Sequence, residues 1–160
     1  MKNLYIIRHA KSSWGDPGAS DHDRVLNDRG LRDAPVMAAE FKERFGSGHT
    51  IFCSTAQRAR ETASYFIKEL GVDGVTYDQS LYLCSAGNLL NFIKEIDSNI
   101  DSAMIFGHNP GWTSAVELFT GKYIGNMPTC GIAKIQFDVD WEHVEFELGE
   151  LVDFIYPKGI

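Results

Sequence analysis

Residues 4–11 read Leu4-Tyr5-Ile6-Ile7-Arg8-His9-Ala10-Lys11, an apolar run that stops abruptly in charged and titratable side chains. Four apolar residues are too few for a helix, and without polar alternation they read as a strand buried on both faces. Such a strand needs a covering layer on each side, which points to a sheet between helices. Arg8 and His9 then stand at the strand's carboxyl tip, either as a basic surface loop or as a site.

The sequence on either side repeats this rhythm. Leu31, Met37, Ala38, Phe41 and Phe45 follow helical spacing within 28–45, with Asn27 or Asp28 as cap. Pro35 inside that pattern predicts a kink or a late start. Strands are expected at 50–53, 75–77 and 103–106, and helices at 56–70, 86–96 and 111–120. Two further strands, 131–139 and 144–151, read as a hairpin joined near Asp140-Trp141. The expected fold is α/β: a three-layer αβα sandwich whose mostly parallel sheet carries an antiparallel edge. The 160 residues suit a single domain spanning 1–160. The least regular stretches are 12–23 and 121–130.

Composition is ordinary for a globular chain, with 44% hydrophobic and 23% charged residues. The net charge of -7 argues against nucleic acid or an anionic membrane as partner. No run approaches the ~20 apolar residues of a membrane span, and no signal peptide is read at the start. Cys53, Cys84 and Cys130 show neither metal-ligand spacing nor a disulfide framework. Three reduced thiols in a cytoplasmic protein are expected, with no metal and no cofactor, and a monomer is favoured.

Against that acidic background a cationic cluster stands out. One strand ends in Arg8-His9, a second in Ser54 followed by Arg58 and Arg60, and another in His108. The carboxyl ends of parallel strands share one edge of a sheet, where ligands bind. If these strands are neighbours, Arg8, His9, Arg58 and His108 converge. Arginine forks match phosphate oxygens, and histidine serves as donor or nucleophile. No Gly-rich Walker loop is present, so a nucleoside triphosphate is not the evident ligand. His49 and His143 read as surface residues, while the place of His22 is left open.

The segments "LYIIRHAKSSW", "CSTAQRARETA" and "FGHNPGW" resemble the three signature blocks of the histidine phosphatase superfamily. Residues 8–35 resemble its small SixA-like branch, the phosphohistidine phosphatases. The likeness spans nearly the whole chain, without the helical insertion of larger members. It implies that His9 is the nucleophile and that Arg8 and Arg58 hold the phosphoryl oxygens. His108 becomes the second histidine, and Arg60 pairs with structural carboxylates. Asp21 and Arg24 match an Asp-x-x-Arg of the branch near the phosphate, and Ser12 and Asn109 join the substrate-binding set. Trp14 shapes the mouth of the pocket. His9 must attack as the neutral ring, with its other nitrogen donating to a backbone carbonyl.

Two departures from the pattern bear on function. Larger members carry a glutamic acid after the third strand, whereas 77–88 here hold only Asp78, with Asp21 as a second candidate acid. An alkoxide leaving group needs such an acid. An imidazole, whose conjugate acid has a pKa of about 6.5, does not. The reading favours a phosphorylated protein carrying phosphohistidine. A small phosphate ester, or a phosphate-binding module without chemistry, remain alternatives. Val25 and Thr55 stand where the branch leads one to expect prolines, which leaves the setting of both loops open.

Overall fold

The computed structural model describes residues 1–159; Ile160, the last residue of the expected domain, lies outside them. Strands and helices alternate: β1 (Lys2–Arg8), α1 (Asp28–Phe45), β2 (Thr50–Ser54), α2 (Gln57–Leu70), β3 (Val75–Asp78), α3 (Ala86–Lys94), β4 (Ser102–Gly107), α4 (Gly111–Thr120), β5 (Ile132–Phe137) and β6 (Glu150–Ile155). The sheet order is β3-β2-β4-β1-β5-β6. The first four strands in that order are parallel, and β5 and β6 form the antiparallel edge.

Strand β1 is buried because its side chains alternate between two cores. Leu4 and Ile6 pack with α3 and α4, while Tyr5 and Ile7 pack with α1 and α2. The expected αβα layering follows from that alternation. Two contacts set the helices close to the sheet's carboxyl edge. A side chain at Gly30 would meet the Lys11 carbonyl at 2.2 Å, and one at Gly111 would meet the Cys84 carbonyl at 2.1 Å. Glycine there lets α1 press on the loop after β1, and α4 on the segment before α3.

Several expectations are corrected. Helix α1 starts at Asp28 and runs through Pro35 as one element, so there is no late start. Pro35 lies on its exposed face, where the carbonyl freed by the missing N–H can meet water. The last strand is Glu150–Ile155, not 144–151. Residues 144–149 instead close over α4: the amides of Glu147 and Gly149 donate to the Leu118 and Phe119 carbonyls, both at 2.8 Å. Those carbonyls belong to the last turn of α4 and lack helical partners, so pairing with β5 begins only at Glu150. His49 is half-buried and fully hydrogen-bonded rather than a surface residue. His143 is exposed, and the three cysteines are free and buried.

Candidate active site

The parallel strands β1, β2 and β4 are neighbours, so their carboxyl ends meet, and Arg8, His9, Arg58 and His108 line one cavity of about 240 Å³. The backbone of His9 is fixed from both sides. Its amide donates to the Gly107 carbonyl at 3.0 Å, and its carbonyl accepts from the Cys130 amide at 3.0 Å. In the ring, Nδ1 lies 2.7 Å from the Ala10 carbonyl. A carbonyl only accepts, so Nδ1 carries the hydrogen and Nε2 keeps its lone pair. Nε2 makes no hydrogen bond to the described residues. Burial, helped by the charges of Arg58, Arg8 and Arg24, lowers the pKa of His9 to about 3 despite that carbonyl. His9 is therefore a neutral ring at physiological pH.

His108 faces it, with ring centroids 5.3 Å apart. Its Nε2 lies 2.7 Å from the Ser54 hydroxyl. That oxygen also accepts from the Ala56 amide at 3.2 Å; were Nε2 the donor, the Ser54 hydrogen and the Nδ1 lone pair would both be buried without partners, so Ser54 donates to Nε2. Nδ1 is then the N–H of His108, buried with no partner. Burial first, then His9 and Arg58, lower its pKa to about 3.

Among the described residues, the buried side-chain nitrogens and oxygens without a partner are Arg8 Nε, Arg58 Nε and His108 Nδ1. All three belong to residues lining the same cavity. Buried donors are rarely left unpaired, so three together mark a place built for an acceptor-rich ligand. One further nitrogen of Arg8 and both of Arg58 are anchored. Arg8 Nη1 donates to the Met127 carbonyl at 2.7 Å. Arg58 Nη1 and Nη2 donate to the Asp21 carbonyl and carboxylate at 2.6 and 3.0 Å.

Asp21 and Arg24 stand on the irregular 12–23 loop and complete the wall. Arg24 donates through Nε to Asp21 at 3.2 Å and through Nη1 to Ser12 Oγ at 2.8 Å, with its guanidinium 3.5 Å over the Trp14 ring. The Asp21 carboxylate also accepts from the Tyr82 hydroxyl. Burial raises its pKa, but the Tyr82 and Arg58 donors outweigh that and bring it to about 2. Asn109 lines the cavity, yet its amide is engaged elsewhere. Oδ1 accepts from the Thr113 amide and hydroxyl at 3.0 and 2.9 Å, and Nδ2 donates to Asn126 at 3.0 Å.

Leu83 and Thr129 also line the cavity and Tyr82 stands behind it, three residues that no sequence motif marks. Tyr82 sets its ring edge-on to His108 at 5.5 Å and to His22 at 4.9 Å. Its signal in the sequence is its place in 77–88, the stretch of the expected acid, where a phenol rather than a carboxylate reaches the site. Thr55, the missing proline, donates to Gln79 at 2.6 Å and lies 2.9 Å from His22 Nε2, which ties the 12–23 loop to the end of β2. Arg60 stacks on Tyr77 at 4.3 Å instead of pairing with a carboxylate. Asp78 caps the Ser80 amide at 2.8 Å and does not line the cavity.

Among the described residues, no three His, Cys, Asp or Glu side chains gather as metal ligands. A larger cleft of about 540 Å³ lies between α1 and residues 157–158. It holds no histidine, and its Arg29 and Arg32 pair with Asp33. No helix among the described residues is long and apolar enough to cross a membrane.

Residues 4–110 match the histidine phosphatase superfamily (branch 1), and the chain belongs to that family. A Mycobacterium leprae protein of uncharacterized function is 33% identical over 165 residues, which cover 95% of this chain and all of that protein. A structure from Agrobacterium tumefaciens, assigned as the phosphohistidine phosphatase SixA, superposes with a TM-score of 0.85 at 29% identity. It covers 98% of both chains. A protein histidine phosphatase SixA solved with tungstate shares the fold, with a TM-score of 0.83 at 20% identity over 98% of this chain and 97% of the other. Family and structural likeness together support a phosphatase.

Proposed function

We propose that this chain removes the phosphoryl group from phosphohistidine in a protein, by way of a phosphorylated His9. The observation that carries this reading is the lone pair on His9 Nε2, in a cavity lined by the residues that carry three buried donors without a partner among the described residues. Phosphoryl transfer needs positioning and charge neutralisation more than covalent help. Arg8, Arg58 and His108 supply donors for the three non-bridging oxygens, and Arg24 adds charge at the rim. Asp21 holds Arg58 and Arg24 in place, and Ser12 and Asn109 hold the walls.

The reaction runs in two displacements. His9 Nε2 attacks phosphorus, the bond to the substrate nitrogen breaks, and its electron pair stays on that nitrogen. When the other ring nitrogen of the substrate carries a proton, a neutral imidazole departs. Water then attacks phosphorus, the Nε2–P pair returns to His9, and inorganic phosphate is released with the water's proton. No step requires a proton from the protein to the leaving group. That agrees with a cavity in which, among the described residues, Asp21 is the one lining carboxylate and is held ionised. An ester would need an acid the cavity does not supply.

The test is to mix the enzyme with a phosphohistidine-bearing carrier protein labelled in its phosphoryl group, and to quench within the first turnover. An acid-labile, base-stable label on the enzyme, followed by free phosphate, is expected. Faster turnover of sugar phosphates than of the carrier would replace the reading with a metabolite phosphatase. Tight phosphate binding with no turnover of any substrate would leave a binding module.

A further inference from the structure

The floor of the cavity is charged, and at its mouth two apolar side chains stand beside the exposed Lys11 and the rim residue Arg24. Of the described residues lining it, only Trp14 and Leu83 are apolar, and both are well exposed, at 75% and 52%. Leu83 also has φ of 52°, the left-handed region that glycine and asparagine fill at least cost. A leucine that is both exposed and left-handed breaks two local preferences at once, and such breaks gather at functional sites.

The neighbours explain how the backbone is held. Tyr82 is fixed by its hydroxyl on Asp21 and its ring against His108. Cys84 is buried, with its carbonyl against Gly111. The chain is pinned on each side of Leu83, and the side chain lines the cavity. Trp14 is held by the Arg24 guanidinium. At about 240 Å³ the cavity is smaller than the roughly 300–1,000 Å³ usual for small-molecule sites. It suits a phosphoryl group and one ring, with the rest of the substrate outside.

We infer that Leu83 and Trp14 are specificity-determining residues that hold the planar ring of an aromatic leaving group, the imidazole of phosphohistidine, at the mouth of the phosphoryl site. This rests on the function proposed above and adds the residues that choose the leaving group. Apolar contact with one face of a ring favours it over a leaving group of equal reactivity without a ring.

The experiment compares two substrates with the same P–N bond: free phosphohistidine, which has the ring, and phosphoramidate, which does not. Leu83→Gly and Leu83→Asn both accept the left-handed backbone, so both should melt no lower than wild type. Each should lose about tenfold in kcat/KM on phosphohistidine, mostly through KM, as expected for one apolar contact. On phosphoramidate each should stay within about twofold of wild type on the same scale. Leu83→Met restores an apolar side chain and should recover discrimination. Equal loss on both substrates, or unchanged discrimination in Leu83→Gly, overturns the inference alone. A wild-type enzyme that turns over the carrier protein but neither small substrate overturns the inference alone; one that turns over none of the three overturns the proposed function, and the inference with it.

Discussion

His9 and His49 lie at opposite ends of the sheet, and both are pushed below the ordinary histidine pKa chiefly by burial. His49 uses both ring nitrogens. Nδ1 lies 2.6 Å from the Ser102 hydroxyl, and Nε2 lies 3.1 Å from the Phe45 and Gly46 carbonyls. Its ring stacks edge-on against Tyr5 and Phe41, at 5.1 and 5.2 Å. His9 uses one nitrogen and turns the other, unengaged, into a cavity of cations. Burial and a depressed pKa are thus common to a structural pin and a reactive group. The free valence beside unpaired donors separates them.

The largest effect should come from deleting each ring in turn. His9→Ala should lower turnover by about 10⁴-fold or more, since the covalent route loses its nucleophile. No phosphoenzyme should form, and the melting temperature should barely move. His49→Ala should leave turnover intact and lower stability by about 1–3 kcal/mol, because the half-buried ring loses its hydrogen bonds to Ser102 and the Phe45 carbonyl and its packing on Tyr5 and Phe41. Denaturant melts and first-turnover labelling on both variants check this. A His49→Ala protein that melts normally but turns over poorly would break the contrast.

The next effect sharpens the same contrast for arginines. Arg58 is 2% exposed with an unpartnered Nε, whereas Arg60, on the same helix, is exposed and stacked on Tyr77. Arg58→Ala should cost about 10²–10³-fold in kcat, the scale of one lost transition-state donor. Arg60→Ala should change kcat by less than about twofold. Steady-state rates of the two variants on one substrate decide it.

In acid the two histidines should behave alike. His9 and His108 have folded pKa values of about 3, and that of His49 is also lowered. The unfolded rings titrate near ~6.5. The folded state therefore binds fewer protons, and this stability is fully present above pH ~6.5. It is lost as pH falls from there toward 3, at up to ~1.4 kcal/mol per pH unit for each ring. Removing either ring should flatten the fall. Between pH 7 and 4 the unfolding free energy of His49→Ala should close on that of wild type, and that of His9→Ala, level with wild type at pH 7, should rise above it; curves parallel to wild type would refute the shifts.

How much of this the sequence carried depends on where each partner sits. Arg8, His9, Arg58 and His108 were legible because each follows a recognisable strand, and parallel topology does the rest. Tyr82 was not, because its hydroxyl meets Asp21 sixty-one positions away. His49 was misread for the same reason, since Ser102 lies 53 positions off and "GSGHT" looks like any turn. The last strand was misplaced because Val144, Phe146 and Leu148 alternate like a strand, while the open carbonyls of α4 claim that backbone. Local pattern located the elements; side-chain pairing across the fold was beyond it.

The smallest effect concerns the link between the loop and the scaffold. Thr55 donates to Gln79 and therefore offers its oxygen to His22, whose neighbour Asp21 orients Arg58. Thr55→Val keeps the shape and removes the hydroxyl. His22 loses its acceptor, and the loop holding Asp21 loosens. One neutral hydrogen bond is worth about 1 kcal/mol, and only part of that reaches the substrate. KM should rise about threefold, which equals ~0.7 kcal/mol, with kcat unchanged, and Thr55→Ser should restore it. A fall in kcat with constant KM would mean that the link shapes the transition state rather than the open loop. Arg58 would then be positioned by β2 as much as by Asp21.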